Sequence, residues 1–91
     1  MYLLVWTPRF TSSAERFVKR HPELREKLAA VLRDLEKDPF QSHQKLHNLG
    51  GKLEGIQAVS LTYDYRITLT VVVTDKEITL LDIGSHDEMH R

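Results

Sequence analysis

The sequence contains no cysteine, so the chain can form no disulfide, no thiolate zinc site and no cysteine nucleophile. This composition fits a reducing compartment, and we expect a cytoplasmic protein. Apolar residues open the chain at Tyr2 to Trp6, but no basic residue precedes them and they stop at Thr7-Pro8, too soon for a signal peptide or a membrane span. Motifs of the Gly-x-Gly-x-x-Gly, P-loop and Gly-x-Ser-x-Gly types are also missing, which argues against nucleotide-binding and serine-hydrolase functions.

The chain also has no excess of charge of either sign, since 13 Lys and Arg residues balance 13 Asp and Glu residues. A strongly basic surface would have pointed directly to nucleic acid, because neutralisation of phosphates dominates that kind of binding. Residues 1 to 73 carry eleven basic and eight acidic residues, and residues 74 to 91 carry two and five. An RNA partner would therefore need a local basic patch, or a third component that already holds the RNA.

Length and composition favour a single domain that spans residues 1 to 91. The 91 residues are 41% hydrophobic, which is enough for one compact core but not for two. The sequence has no internal repeat, no low-complexity tract and no linker-like stretch. The question of organisation therefore reduces to the order of the secondary-structure elements.

The first half of the chain predicts a strand followed by two helices. Tyr2 to Trp6 is β-prone, Thr7 can cap a helix, and Pro8 is tolerated at its first position. The first helix should run to His21, because the residue before a proline is driven out of the helical region. Pro22 can open the second helix, whose apolar residues follow at helical spacing until Asp38-Pro39: Leu24, Leu28, Val31, Leu32 and Leu35.

The second half predicts a polar loop and then three strands joined by short turns. Residues 39 to 53 are rich in Gln, His, Lys, Asn and Gly, and the strands are expected at residues 56 to 62, 66 to 73 and 78 to 84. In the middle strand Ile67, Leu69 and Val71 alternate with polar residues, which should leave Arg66 on the face away from the helices. We predict an α+β fold with an N-terminal strand, an antiparallel helix hairpin and a three-stranded antiparallel meander, forming one helical layer on one sheet.

Polar residues capable of chemistry lie in three clusters: His43 with His47, Asp64 to Arg66, and His86 to His90. Taken singly, each has a simpler explanation, because histidines in polar loops and carboxylates in turns are usually solvated. Taken together, they could supply a proton acceptor, a cation for phosphate and a proton donor, the groups that RNA cleavage by an internal 2′-hydroxyl requires. Alternation along the last strand places Asp82, Gly84 and His86 on one parity, that of the open face, so we expect His86 to leave the sheet at the edge of this face.

The histidine pairs also have metal-ligand spacing. His43 and His47, like His86 and His90, are four residues apart, which brings two ligands together on a helix. Neither stretch has a helical pattern of apolar residues. We therefore expect neither a metal site nor any other cofactor.

Three segments in order resemble the RelE/ParE toxin superfamily: the glycine-rich stretch from His47 to Gly55, Tyr63-Asp-Tyr-Arg-Ile67, and Ile78-Thr-Leu-Leu-Asp-Ile-Gly-Ser-His-Asp87. The opening Trp6-Thr-Pro-Arg-Phe10 is also similar to that family, so the resemblance covers nearly the whole chain. The Gly-Ser-His-Asp ending and the His-x-Leu-x-Gly loop are most similar to the YafQ-like branch. This resemblance implies a ribosome-dependent mRNA interferase that is neutralised by a cognate antitoxin protein, with which it would form a hetero-oligomer, and that has no membrane partner.

The resemblance also implies roles for individual residues. His47 and Asp64 match positions around the attacking hydroxyl, Arg66 matches an arginine on the scissile phosphate, and His86 matches a proposed general acid. Lys45, Lys52, Tyr65 and His90 are the candidates for contact with RNA. Two positions depart from the pattern: ribonuclease members commonly have Tyr or Phe near the position of His90, and Ser60 stands where the YafQ-like branch has another histidine.

Two other functions fit the same fold. A ParE-like toxin poisons DNA gyrase through a protein contact and catalyses nothing, and fold alone does not separate the two activities. A degenerate relative could retain only antitoxin binding. The joint presence of His47, Asp64, Arg66 and His86 favours the ribonuclease, because a purely binding toxin would not need all four.

Overall fold

The computed structural model describes residues 1–85, and it begins with a strand that leads directly into a helix. The strand β1 covers Leu3–Trp6, and the helix α1 covers Pro8–Arg20. Thr7 caps α1, since its Oγ1 accepts a hydrogen bond from the Phe10 N–H at 3.1 Å, and Pro8 takes the first position, where no N–H is needed. The helix ends at Arg20, with His21 as the capping residue immediately before Pro22, so both predicted limits of α1 are confirmed.

The second helix, α2, covers Arg25–Lys37 and starts later than the sequence pattern predicted. Pro22–Leu24 forms a 3₁₀ turn, and the regular helix begins only after it. The predicted apolar stripe is confirmed, because Leu28, Val31, Leu32 and Leu35 are all buried. Within the described part of the chain, neither helix has the length and apolar character needed to cross a membrane.

Four further strands join β1 in one sheet: β2 at His47–Asn48, β3 at Gln57–Ser60, β4 at Tyr65–Val72 and β5 at Glu77–Ser85. Their order across the sheet is β1-β5-β4-β3-β2. β1 pairs with β5 in parallel, and the other pairs are antiparallel. The predicted polar loop over residues 39 to 53 also contains β2 and two 3₁₀ turns, which the sequence did not indicate. Two residues are too few to show strand alternation.

Both helices contribute to a single core with one face of the sheet, which we call the helix face. Its fully buried members include Phe10 from α1, Leu35 from α2, and Val59, Ile67 and Leu80 from the sheet. The predicted α+β architecture of one helical layer on one sheet is confirmed. The opposite face of the sheet is called the outer face below.

A bulge interrupts the pairing of β4 with β5. Thr68 pairs with Asp82, whereas the next residue, Leu69, pairs with Leu80, so Leu81 has no partner in the ladder. An extra residue in one strand changes the side on which the following side chains point and increases the local twist. The helix face therefore takes Ile78 and Leu80 before the irregularity and Ile83 after it.

Candidate functional site

The turn between β3 and β4 presents Asp64 at one end of the sheet. The backbone N–H groups of Leu61 and Thr62 both donate to the Tyr65 carbonyl, at 3.0 and 3.1 Å, and the Tyr65 N–H donates to Thr62 Oγ1 at 3.2 Å. These bonds close the turn and leave Tyr63 and Asp64 exposed. The Asp64 carboxylate is therefore accessible to a ligand at this end of the sheet.

Arg66 lies near the start of β4, on the outer face. It pairs with Ser60 in β3 and with Gly84 in β5, and it is half-buried. Its neighbour Ile67 is fully buried on the helix face, and successive side chains of a strand point to opposite sides, so Arg66 points away from the helices. Ser60, Arg66 and Gly84 lie side by side on this face, and we call them the outer row. Gly84, the neighbour of Arg66 in β5, has no side chain.

His47 lies in β2 at the edge of the same sheet. It is exposed, and its Nδ1 lies 2.8 Å from the carbonyl oxygen of Lys45, which has a left-handed backbone with φ 54°. A carbonyl oxygen can only accept, so the neutral ring carries its proton on Nδ1 and leaves Nε2 with a lone pair. His47 can therefore accept a proton at Nε2 without breaking the contact that orients the ring.

His47 and Arg66 share the outer face. His47 pairs with Ala58, and Ala58 pairs with Thr68, which stands two residues from Arg66 on the same side of β4. Because only β3 separates β2 from β4, the two residues are roughly 10 Å apart across the sheet and roughly 7 Å apart along it. A ligand the size of a nucleotide or two can contact both.

The candidates for contact with RNA lie in different surroundings. Lys45 and Lys52 are exposed on either side of β2. Tyr65 is half-buried on the helix face, where its ring centroid lies 5.1 Å from that of Phe17 and its hydroxyl lies 3.1 Å from His21 Nε2. Tyr65 is therefore held against α1, on the opposite side of the sheet from Arg66.

The two C-terminal histidines, His86 and His90, lie outside the described residues. The described chain ends with Ser85, the last residue of β5, which pairs with Tyr65. β5 therefore brings the chain to the same end of the sheet as Asp64 and Arg66.

The predicted placement of Asp82 on the open face was wrong. Its carboxylate accepts hydrogen bonds from Ser13 Oγ and from Arg9 Nε, and Arg9 Nη2 lies 3.1 Å from Asp82 Oδ2, so the side chain turns toward α1. Asp82 keeps the parity of the buried Ile78 and Leu80, and the bulge puts Gly84, but not Asp82, on the outer face. Asp82 thus ties β5 to α1 and is not part of the outer row.

His43 and His47 contact different partners: His47 lies against the Lys45 carbonyl, and His43 against α2. His43 Nε2 lies 3.2 Å from Asp34 Oδ2 of α2, in a cleft of about 430 Å³ that Lys45 and Tyr63 also line. Among residues 1–85 no three His, Cys, Asp or Glu side chains come close enough together to hold a metal ion.

The sequence reasoning missed a polar surface along α1. Arg9, Ser13, Arg16 and Arg20 recur at intervals of four, three and four residues, which places them on one side of the helix. That spacing was visible in the sequence. The partner of this surface, Asp82, which contacts Arg9 and Ser13, could be identified only from the tertiary structure.

No protein-family model matches the sequence, and no curated protein matches it. Solved structures do match. YafQ from E. coli strain BL21(DE3) has a TM-score of 0.81 and 17% identity over 100% of both chains. A metal-bound toxin from Helicobacter pylori has a TM-score of 0.79 and 23% identity over 98% of this chain and 99% of that one.

A third match is the heterotetrameric YoeB-YefM toxin-antitoxin complex from Staphylococcus aureus. Its TM-score is 0.73, with 16% identity over 94% of this chain and 98% of that one. At these identities the likeness establishes the fold. The chain has the fold of the YafQ and YoeB toxins, which confirms, at the level of fold, the resemblance found in the sequence.

Proposed function

We propose that the chain is the toxin of a toxin–antitoxin pair and a metal-independent endoribonuclease that cuts mRNA on the ribosome. One observation carries the proposal: His47 and Arg66 share the outer face of the sheet, and Asp64 occupies the turn beside Arg66. The fold likeness to YafQ and YoeB supports the role of toxin. A phosphodiester lying against this end of the sheet would meet a base, a cation and a carboxylate.

The reaction is an attack of a 2′-hydroxyl on the adjacent phosphorus. The 2′ oxygen forms a bond to phosphorus, the bond from phosphorus to the 5′ oxygen breaks, and the products are a 2′,3′-cyclic phosphate and a 5′-hydroxyl. His47 Nε2, which has a free lone pair when Nδ1 is bound to Lys45, takes the 2′ proton. Asp64 orients the hydroxyl, and His86, which follows Ser85 in the chain, returns a proton to the departing oxygen.

Arg66 has the role of stabilising the phosphate as charge builds up on its oxygens. A guanidinium can donate two parallel hydrogen bonds to one phosphate, and it stabilises the phosphate charge more strongly where water is excluded. Half-burial of Arg66 between β3 and β5 supports this role, because the neighbouring strands restrict the side chain. An ammonium group on a flexible stem would not reproduce that geometry.

The ribosome and an antitoxin are the proposed partners. The chain has no net charge, so we propose that the ribosome holds the mRNA and that the toxin supplies only part of the affinity. The likeness to the YoeB chain of a toxin-antitoxin heterotetramer supports a separate antitoxin protein and a hetero-oligomeric complex.

The direct test is cleavage of a defined mRNA by the purified chain in a reconstituted translation system, mapped by primer extension. We expect cuts with wild type, and a loss of at least about 100-fold with Arg66→Ala, which corresponds to the value of one donor to developing charge. Arg66→Lys should recover only part of the rate. Thr70→Ala, a change on the same strand at a distance from the outer row, is the matched control and should cut normally.

Two results would overturn the proposal. Wild-type rates in Arg66→Ala would remove the assigned site. Inhibition of gyrase supercoiling by the purified chain, with the mRNA left intact in the parallel reaction, would show a gyrase poison instead.

A further inference from the structure

A polar hollow of about 200 Å³ lies between α1 and the paired ends of β4 and β5. Arg16, Arg20 and His21 line it from the helix side, and Tyr65 and Gly84 line it from the sheet. We call it the arginine pocket. It shares Gly84 with the outer row but opens on the other side of the sheet, because Tyr65 stands on the helix face and Arg66 on the outer face.

Two guanidinium groups of the arginine pocket have no acidic partner among the described residues. Arg16 and Arg20 are one turn apart on the same side of α1, both are exposed, and neither forms an ion pair with any residue between 1 and 85. The acid that approaches this part of α1, Asp82, already accepts hydrogen bonds from Arg9 and Ser13. Two neighbouring positive charges around one hollow favour an anion there.

Hydrogen-bonding side chains of Ser13, His21 and Tyr65 complete the lining. The Tyr65 hydroxyl lies 3.1 Å from His21 Nε2, and the Arg16 guanidinium donates to Ser13 Oγ at 3.5 Å. The ring centroids of Phe17, His21 and Tyr65 are 5.1 to 5.2 Å apart. This packing holds the Tyr65 hydroxyl and the His21 imidazole in place. Planar guanidinium groups beside fixed hydroxyls have the chemistry that recognises phosphate.

We propose that the arginine pocket binds a phosphate group of the RNA strand, next to the phosphate that Arg66 contacts. This inference rests on the proposed function. Tyr65 is the chain neighbour of Arg66, and Gly84 is its ladder partner, so the pocket and the outer row lie on the two sides of the same end of the sheet. A single strand that passes around this end beside Asp64 contacts both sites with successive phosphates.

The arginine pocket also supplies the local basic patch that the overall composition lacks. The α1 segment Pro8–Arg20 carries four basic residues and one acidic residue, while the whole chain is neutral. One of the four, Arg9, is paired with Asp82. The remaining positive charge of α1 is concentrated toward its C-terminal end, where the pocket lies.

The test measures binding of a short, fluorescein-labelled, single-stranded RNA with 2′-O-methyl sugars, which the proposed reaction cannot cleave. Anisotropy gives the dissociation constant over a range of salt concentrations for wild type and for Arg16→Gln with Arg20→Gln. We expect the constant to rise about 10-fold and the salt slope to fall by about 0.7, the value for one phosphate on a single strand. The matched control, Arg25→Gln with Lys37→Gln, removes the same charge from exposed positions of α2 and should change both quantities much less.

A comparison of RNA with inorganic phosphate shows whether the pocket binds a phosphate group of the RNA strand or a free phosphate ion. In an NMR titration, RNA should shift the amide signals of Tyr65 and Gly84 at concentrations at which inorganic phosphate does not. Equal losses of RNA affinity in the pocket and control variants would overturn the inference, and so would pocket signals that respond only to free phosphate. Cleavage of mRNA by the wild-type chain is measured in parallel. If the wild type cleaves mRNA but both double variants lose RNA affinity equally, only the phosphate site in the pocket is disproved. If the pocket variant alone loses RNA affinity but the wild type cleaves no mRNA, the proposed ribonuclease is disproved and the phosphate site stands.

Discussion

Asp82 shows how one side chain can join two elements that are far apart in the chain. It accepts hydrogen bonds from Ser13 and Arg9 of α1, and its own Oδ1 also accepts from the Ile83 N–H at 2.8 Å. The side chain of Asp82 is 27% exposed, while that of Arg9 is 79% exposed. The bond from the buried Ser13 should therefore contribute more than the ion pair, because exposed ion pairs are largely screened by solvent.

We expect Asp82→Ala to lower the free energy of unfolding by about 1 to 3 kcal/mol, since it removes the charged acceptor to which the Ser13 hydroxyl donates. Arg9→Ala should cost under about 1 kcal/mol. Urea denaturation of both variants measures the difference. If Arg9→Ala cost as much as Asp82→Ala, the ion pair would be the dominant contact.

At the level of elements, Thr7 sets the start of α1 and fixes it to the sheet. Its Oγ1 accepts from the Phe10 N–H at 3.1 Å and donates to the Leu80 carbonyl of β5 at 2.8 Å. We expect Thr7→Ala to cost about 1 to 3 kcal/mol, because it removes both a helix cap and a bond to the sheet. Thermal unfolding provides the measurement, with Ser12→Ala, an exposed change within α1, as the control that should be nearly neutral.

The apolar stripe of α2 is what attaches that helix to the core. Leu35 is fully buried, so Leu35→Ala should cost about 2 to 5 kcal/mol through lost burial and the cavity left behind. Arg33→Ala, at an exposed position of the same helix, should change stability by less than about 0.5 kcal/mol. Similar losses for the two variants in chemical denaturation would mean that α2 is not anchored by its buried stripe.

For the whole molecule, the helices and the sheet share one core, so we expect them to unfold together. Trp6, the only tryptophan, packs edge-to-face against the buried Phe10 at 4.9 Å and reports on the junction of β1 with α1. Its fluorescence and the far-UV circular dichroism should give the same urea midpoint, as two-state unfolding requires. Separate midpoints would show that the N-terminal strand or helix detaches before the rest.

The parallel pairing of β1 with β5 is the feature that joins the two halves of the chain. It places residues 3 to 6 beside residues 77 to 80 and lets Thr7 reach Leu80. A parallel pair needs a long connection, and here both helices and three strands lie between the two partners. This arrangement puts α1 directly over β5, which positions both Asp82 and the arginine pocket.

The sequence alone determined the parts of this protein that depend on local chemistry and on one-dimensional pattern. Thr7-Pro8 and His21-Pro22 set the limits of α1, because capping and the geometry of proline act within a few residues. The apolar spacing of α2 and the alternation of Ile67 and Leu69 identified which residues enter the core. The sequence also indicated which residues could form the candidate site, since His47 can serve as a base, Asp64 as a carboxylate and Arg66 as a cation.

Tertiary structure decided what depends on register. One unpaired residue, Leu81, breaks the shared parity of Asp82, which faces α1, and Gly84, which lies in the outer row. Periodicity cannot reveal such a bulge because it assumes an unbroken alternation. β2 exists because His47 and Asn48 pair with β3, a long-range contact that two residues cannot signal by themselves. Strand pairing alone brought Tyr65 and Gly84 beside Arg16 and Arg20, because residues far apart in a chain become neighbours only when the sheet and helices pack.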